Sequence, residues 1–169
     1  MNKLYSLLIA VAGCSLNAQN ITIPDANFKS MLVQANYTNS YVTDANDIPI
    51  VLDTNSDGEI QVSEAVNVYG LNIVNAGISS LEGLTNFPNL KNLECSGNPL
   101  TTLDLSGLPN IEVVYCSNAQ LSSLDISNIN SLLYLECNFN QISSLNVANS
   151  NLVYLYAQNN LLQVIDLTG

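Results

Sequence analysis

The sequence predicts a solenoid of short stacked coils, and three observations carry that expectation. Five segments match one apolar template, L-x-x-L-x-L-x-x-N-x-L: VYGLNIVNAGI from Val68, LKNLECSGNPL from Leu90, IEVVYCSNAQL from Ile111, LLYLECNFNQI from Leu132 and LVYLYAQNNLL from Leu152. Their starts lie 22, 21, 21 and 20 residues apart. No segment is long enough to bury its apolar side alone, so neighbours must stack. The expected class is a leucine-rich-repeat solenoid. It should have a short parallel β-sheet on the concave side, a non-helical or turn-like convex side and an N-terminal capping helix.

The first stretch, MNKLYSLLIAVAGCSLNAQN, reads as a targeting segment, with residues 1–18 as a signal peptide. Lys3 is its charged start and Leu4 to Ala12 its apolar run. That run is too short to span a bilayer as a helix. Cleavage after Ala18 gives a secreted product. The stretch VAGC (11–14) also resembles a lipobox, so acylation of Cys14 and a cell-surface lipoprotein form the alternative. No later run is apolar for long enough to cross a membrane.

Residues 19–67 form the expected N-terminal cap. Asp25 is placed to cap a helix running to about Ala35, with Phe28, Met31, Leu32 and Ala35 on one face. The stretch DTNSDGEIQVSE (53–64) then fits a twelve-residue EF-hand loop. Asp53, Asn55 and Asp57 take positions 1, 3 and 5, and Gly58 supplies the sharp turn at 6. Glu59 offers its backbone carbonyl, Gln61 acts directly or through water, and Glu64 is placed for bidentate ligation. Ile60 should anchor the loop in the core. An all-oxygen set suits one structural Ca2+. A solvated acidic turn is the rival reading. The flanks depart from the EF-hand: IPIVL (48–52) cannot be an entering helix, and no second loop follows. Calcium would therefore brace the cap rather than switch it.

Residues 68–169 hold about five repeats and stop in mid-repeat, as if truncated. The alternation of a very short strand turns Leu93 with Cys95, Val114 with Cys116, Leu135 with Cys137, and Leu155 with Ala157 inward. A second apolar set lies on the return path: Leu103/Leu105, Leu124/Ile126, Leu145/Val147 and Ile165/Leu167. Asn98, Asn140 and Asn160 should turn inward and bond backbone groups of adjacent coils. Ala76 and Ala119 interrupt that ladder. Cys95, Cys116 and Cys137 read as small buried hydrophobes. Three thiols in line make no tetrahedral zinc site, and without histidine none has a base to activate it.

These coils resemble the bacterial secreted leucine-rich-repeat proteins whose repeats read LxxLxCxxNxLxxLDLS. LECSGNPLTTLDLS (93–106) and VYCSNAQLSSLDIS (114–127) carry the likeness best. IPDANFKSML (23–32) and ISSLEGL (78–84) resemble the N-terminal part of that family. The resemblance implies an extracellular or cell-surface binding module and names no ligand.

Composition narrows the function. Without Lys3, two lysines face 14 acids, a net charge of 2 − 14 = −12, and the chain has neither arginine nor histidine. Nucleic acid is thereby a poor partner. Asp104, Asp125, Asn146 and Asp166 recur in register and read as turn chemistry, so no catalytic constellation is expected. The outward positions of the sheet place Glu94, Tyr115, Tyr134, Glu136, Tyr154 and Tyr156 on one surface. Tyrosine gives broad contact area at low entropy cost. The expected ligand there is a protein or peptide, or a glycan stacked on the rings. A purely structural spacer is the alternative.

Overall fold

The computed structural model describes residues 19–166, so the expected leader with Cys14, and Leu167 of the expected return-side set, lie outside the described residues. Helix α1 spans Ala26–Val33. The Asp25 carboxylate caps it, accepting from Asn27 N and Phe28 N at 3.0 Å each. Phe28 and Leu32 are fully buried, Ala35 is buried and Met31 is partly so. The helix stops two residues short of Ala35. Asn36 and Asn39 turn their amides back onto the Gln34 carbonyl at 2.9 and 2.7 Å, satisfying a backbone acceptor that one more turn would have used.

Strand β1 (Val42–Thr43) follows, then the one-turn helix α2 (Val62–Ala65). The coils begin with β2 (Gly70–Asn72), which leads to a 3-10 turn at Leu84–Asn86. Next come β3 (Asn92–Glu94), β4 (Val113–Tyr115), β5 (Ser123–Asp125), β6 (Tyr134–Glu136), β7 (Ser144–Asn146), β8 (Tyr154–Tyr156) and β9 (Val164–Asp166). One six-stranded sheet runs β1-β2-β3-β4-β6-β8, and a three-stranded sheet runs β5-β7-β9. Every pairing is parallel except β1 on β2, which is antiparallel. The return side is thus more regular than a turn-like path. SSLD, SSLN and their successor pair as strands, because Leu124 and Leu145 point inward at the same height in successive coils.

Between the two faces lies one continuous core. Leu93, Cys95, Val114, Cys116, Leu135 and Cys137 are all fully buried from the main sheet. Leu105, Leu124, Ile126 and Leu145 meet them from the return side. Each buried leucine contributes about 1.5–3 kcal/mol of transfer free energy. In the last described coil Leu155 and Ala157 are only half-buried, and Ile165 is exposed rather than inward-packed. The asparagine ladder forms as expected. The Asn98 Oδ1 accepts from Ala76 N and Ile78 N, and its amide donates to Ile73 O and Cys95 O. Asn140 donates to Cys116 O and Cys137 O, and Asn160 to Cys137 O and Ala157 O. One side chain in each case ties its own strand end to the coil before it.

Candidate binding face and acidic loop

The acidic loop is held from both ends. Ile60 is fully buried, and its carbonyl accepts from Ile21 N at 2.8 Å. Lys29 on α1 pairs with Glu59 at 2.5 Å. Asp53 is buried and accepts from Asp57 N and Gly58 N at 3.2 and 3.0 Å. Gly58 has φ +78, the left-handed backbone that the sharp turn requires. Glu64 is also buried. It accepts from Thr54 N and Oγ1 at 2.8 Å each, and from Gln61 N at 3.0 Å, which caps α2 from within.

Asp57 is exposed and accepts from Glu59 N at 2.8 Å, the main reason its carboxyl titrates below the ordinary range. The amides of Asn55 and Gln61 both donate to it, at 2.9 Å and at 3.0–3.2 Å. All six residues named from the sequence therefore sit in one loop. Their carboxylates do not converge: among the described residues no three acidic, imidazole or thiol groups gather to hold a metal ion. The Asn55 and Gln61 amide nitrogens point at the Asp57 carboxylate, while Asn55 Oδ1 accepts from Asp57 N at 3.0 Å.

The outer face of the main sheet carries two columns. Gly70, Asn92, Val113, Tyr134 and Tyr154 are in register, as are Asn72, Glu94, Tyr115, Glu136 and Tyr156. The four rings form one band. Tyr134 lies 5.1 Å from Tyr115, 6.1 Å from Tyr154 and 5.6 Å from Tyr156, centroid to centroid and tilted. Such spacing falls in the favourable aromatic range. Tyr134 also donates to Glu136 at 3.3 Å. Partial burial, then its neighbours Tyr115 and Glu136, push its phenol up to about 12. Tyr154 and Tyr156 are exposed, and Leu133 and Val153 beside them are exposed apolar residues.

An open groove of about 470 Å³ indents the other end of this face. Glu94 and Tyr115 line it together with Asn72, Asn92, Gly70 and Asp47. The sequence reading missed its second wall. Ser40 and Asp47 come from the cap, where β1 adds to the sheet edge and the Asp44 carboxylate closes a turn by accepting from Asn46 N and Ile48 N. The legible signal was the turn-rich TDANDIP between two extended stretches. Gly70 has a steric reason: a Cβ there would collide with Thr43 Oγ1.

The thiols stack one per coil, all free and buried. Burial pushes Cys95 and Cys137 up to about 12, and Cys116 well above its ordinary value. On the return side the Asp104 and Asp125 carboxylates accept from Ser106 and Ser127, as local turns.

No family model and no curated relative matches the chain. Solved structures do. The functional domain of InlJ from Listeria monocytogenes, described as including a cysteine ladder, superposes with a TM-score of 0.70 at 27% identity, over 88% of this chain. The internalin InlF from L. monocytogenes str. 4b F2365 gives 0.63 at 20% identity, over 89%. The fold is a leucine-rich-repeat solenoid. This leucine-rich-repeat chain spans 30% and 48% of the length of those two neighbours. In this chain Cys95, Cys116 and Cys137 recur every 21 residues, one in each of three successive coils. Among the described residues no helix is long and apolar enough to cross a membrane.

Proposed function

We propose that the protein is a secreted or cell-surface binding module that holds a protein partner on the outer face of its main sheet. The tyrosine band supports this reading: Tyr134 packs against Tyr115, Tyr154 and Tyr156, beside Glu94 and Glu136, and Tyr154 and Tyr156 stay exposed among the described residues. Buried contact area comes cheaply in entropy from such rings, and the hydroxyls supply polar contacts at the rim. The test replaces Tyr134 and Tyr154 with serine and compares capture from cell-surface extracts by immobilised wild type and variant. The expected result is loss of specific partners with the melting temperature kept within a few degrees. Equal capture by a folded variant removes this face from the reading and favours a structural spacer; loss of carbohydrate rather than protein ligands redirects it to glycans.

The same reading includes one calcium ion bracing the cap. The donor chemistry fits: oxygen atoms only, with Asp53 and Glu64 buried and neither paired to a lysine among the described residues. Asp53, Asn55, Asp57, Gln61 and Glu64 would hold the ion by side chains, and Glu59 by its carbonyl. A ligand that binds only the folded state adds about 2.7 kcal/mol at a hundredfold excess over Kd. Melting in millimolar calcium should exceed melting in EDTA. Asp57→Ala should erase the difference, with a smaller drop of the EDTA value for the hydrogen bonds its carboxylate accepts within the loop. A wild-type melting temperature indifferent to saturating calcium would leave the loop a solvated turn.

A further inference from the structure

We infer that the groove at the cap end of the sheet receives the cationic side chain of an extended partner segment, a lysine or an arginine. This deepens the binding-face reading and rests on it. Shape is the first ground. At the column where later coils project Asn92, Val113, Tyr134 and Tyr154, the first coil has Gly70, where a Cβ would collide with Thr43 Oγ1 as it lies. The missing side chain lowers the floor, and the turn carrying Asp47 raises a wall beside it. The resulting volume of about 470 Å³ lies within the roughly 300–1,000 Å³ of ligand sites.

Charge is the second ground. Asp47 reaches the groove from the cap and Glu94 from β3. Both described lysines are engaged elsewhere, Lys29 with Glu59 and Lys91 with Glu112, so neither neutralises this pair. The return-side groove lined by Asp104 and Asp125 makes the contrast. There the carboxylates accept from Ser106 and Ser127 and have local work already. In the cap-end groove the Tyr115 ring adds a surface that attracts a cation, and the side-chain carbonyls of Asn72 and Asn92 add acceptors. A carboxylate or phosphate would meet repulsion from both acids and no donor of opposite charge.

Spacing defines the rest of the segment. From Glu94 the same column passes Tyr115 and Glu136 to reach Tyr156, three strands on. Three steps of about 4.8 Å make about 14 Å, which an extended chain covers in about four residues. The partner segment therefore carries a basic residue and, about four positions away, an aromatic or large aliphatic one.

The test is a chemical-shift titration of the 15N-labelled protein with a blocked peptide carrying one arginine and, four residues on, one phenylalanine. Its control is the same peptide with citrulline, which keeps the shape and removes the charge. Asp47→Asn and Glu94→Gln are combined in one variant; asparagine tolerates the left-handed backbone of Asp47 (φ 59), so the fold should survive, and its melting temperature is checked. The expected result is perturbation centred on residues 40–47, 70–72 and 92–94. Binding should weaken about tenfold with citrulline or with the variant, and fall as salt rises. Equal binding of the two peptides overturns the inference. So does perturbation confined to Tyr134, Tyr154 and Tyr156, which leaves the wider binding face standing. Absence of any perturbation on the sheet face by millimolar peptide also overturns it, and the serine double variant then decides the wider reading separately.

Discussion

Asp25 shows how much one carboxylate can join. Its Oδ1 caps α1, while its Oδ2 accepts from Ser79 N, Ser79 Oγ and Ser80 N at 2.8, 2.8 and 3.2 Å, fifty-odd positions along the chain. One residue thus starts the helix and clips it to the first coil. Partial burial alone would raise its pKa; donation from Phe28, Ser79 and Ser80 outweighs that and holds it below the usual 3.8. The sign follows from linkage: a depressed folded pKa contributes stability that is present above the unfolded value and lost as pH falls through the folded one. Asp25→Ala should cost about 2–3 kcal/mol at neutral pH, the sum of a lost cap and lost charged hydrogen bonds. The deficit should begin to shrink as pH falls below the ordinary value of 3.8 and close as pH falls through the lower folded one, where the native carboxyl protonates too. Urea melts at pH 7 and pH 3 check both. Of this residue the sequence disclosed only half: N-capping follows from Asp25 preceding an apolar-periodic run, whereas its bond to Ser79 depends on how the cap folds back.

At the scale of elements, the repeat was legible because its period is chemical. Leucine at fixed intervals, asparagine at the turn and cysteine at the strand end each solve a local problem that recurs every coil. The cysteine column gives a testable case. With Cys95 and Cys137 pushed to about 12, their thiolate fraction at pH 8 is on the order of 10⁻⁴; Cys116 is raised well above its ordinary value too, and burial blocks approach to all three. A thiol reagent should label none of Cys95, Cys116 and Cys137 in native protein and all three in guanidinium. Rapid native labelling of even one would show that the coils part there. Elements without a period were illegible. Strand β1 is only two residues long and takes its identity from pairing with β2. The convex sheet was visible only as a non-helical or turn-like path, because parallel pairing of SSLD with SSLN needs the coils already stacked.

For the whole molecule, the long-range logic runs along one axis. Each coil touches its neighbours, and the cap touches the first coil through Asp25 to Ser79 and Asn27 to Gly77 O. Both the proposed calcium loop and the cap-end groove lie at this junction, yet only the loop could be read from sequence. Its residues are contiguous and its spacing is a ligand pattern; the groove joins Asp47 to Glu94 across two separate elements. The junction has one more consequence. Antiparallel β1 occupies the free edge of the parallel sheet, and its own outer side is taken in turn by residues 48–50, with Ile50 N bonding Val42 O and Thr43 bridging Pro49. The middle residue of that segment is Pro49, which has no N–H to offer. A row of open backbone groups would invite strands from other chains, as amyloid growth does. Here that side of the stack terminates in a residue unable to seed the next strand, so a crowded, strongly β-forming protein is guarded against edge-to-edge polymerisation from its cap end.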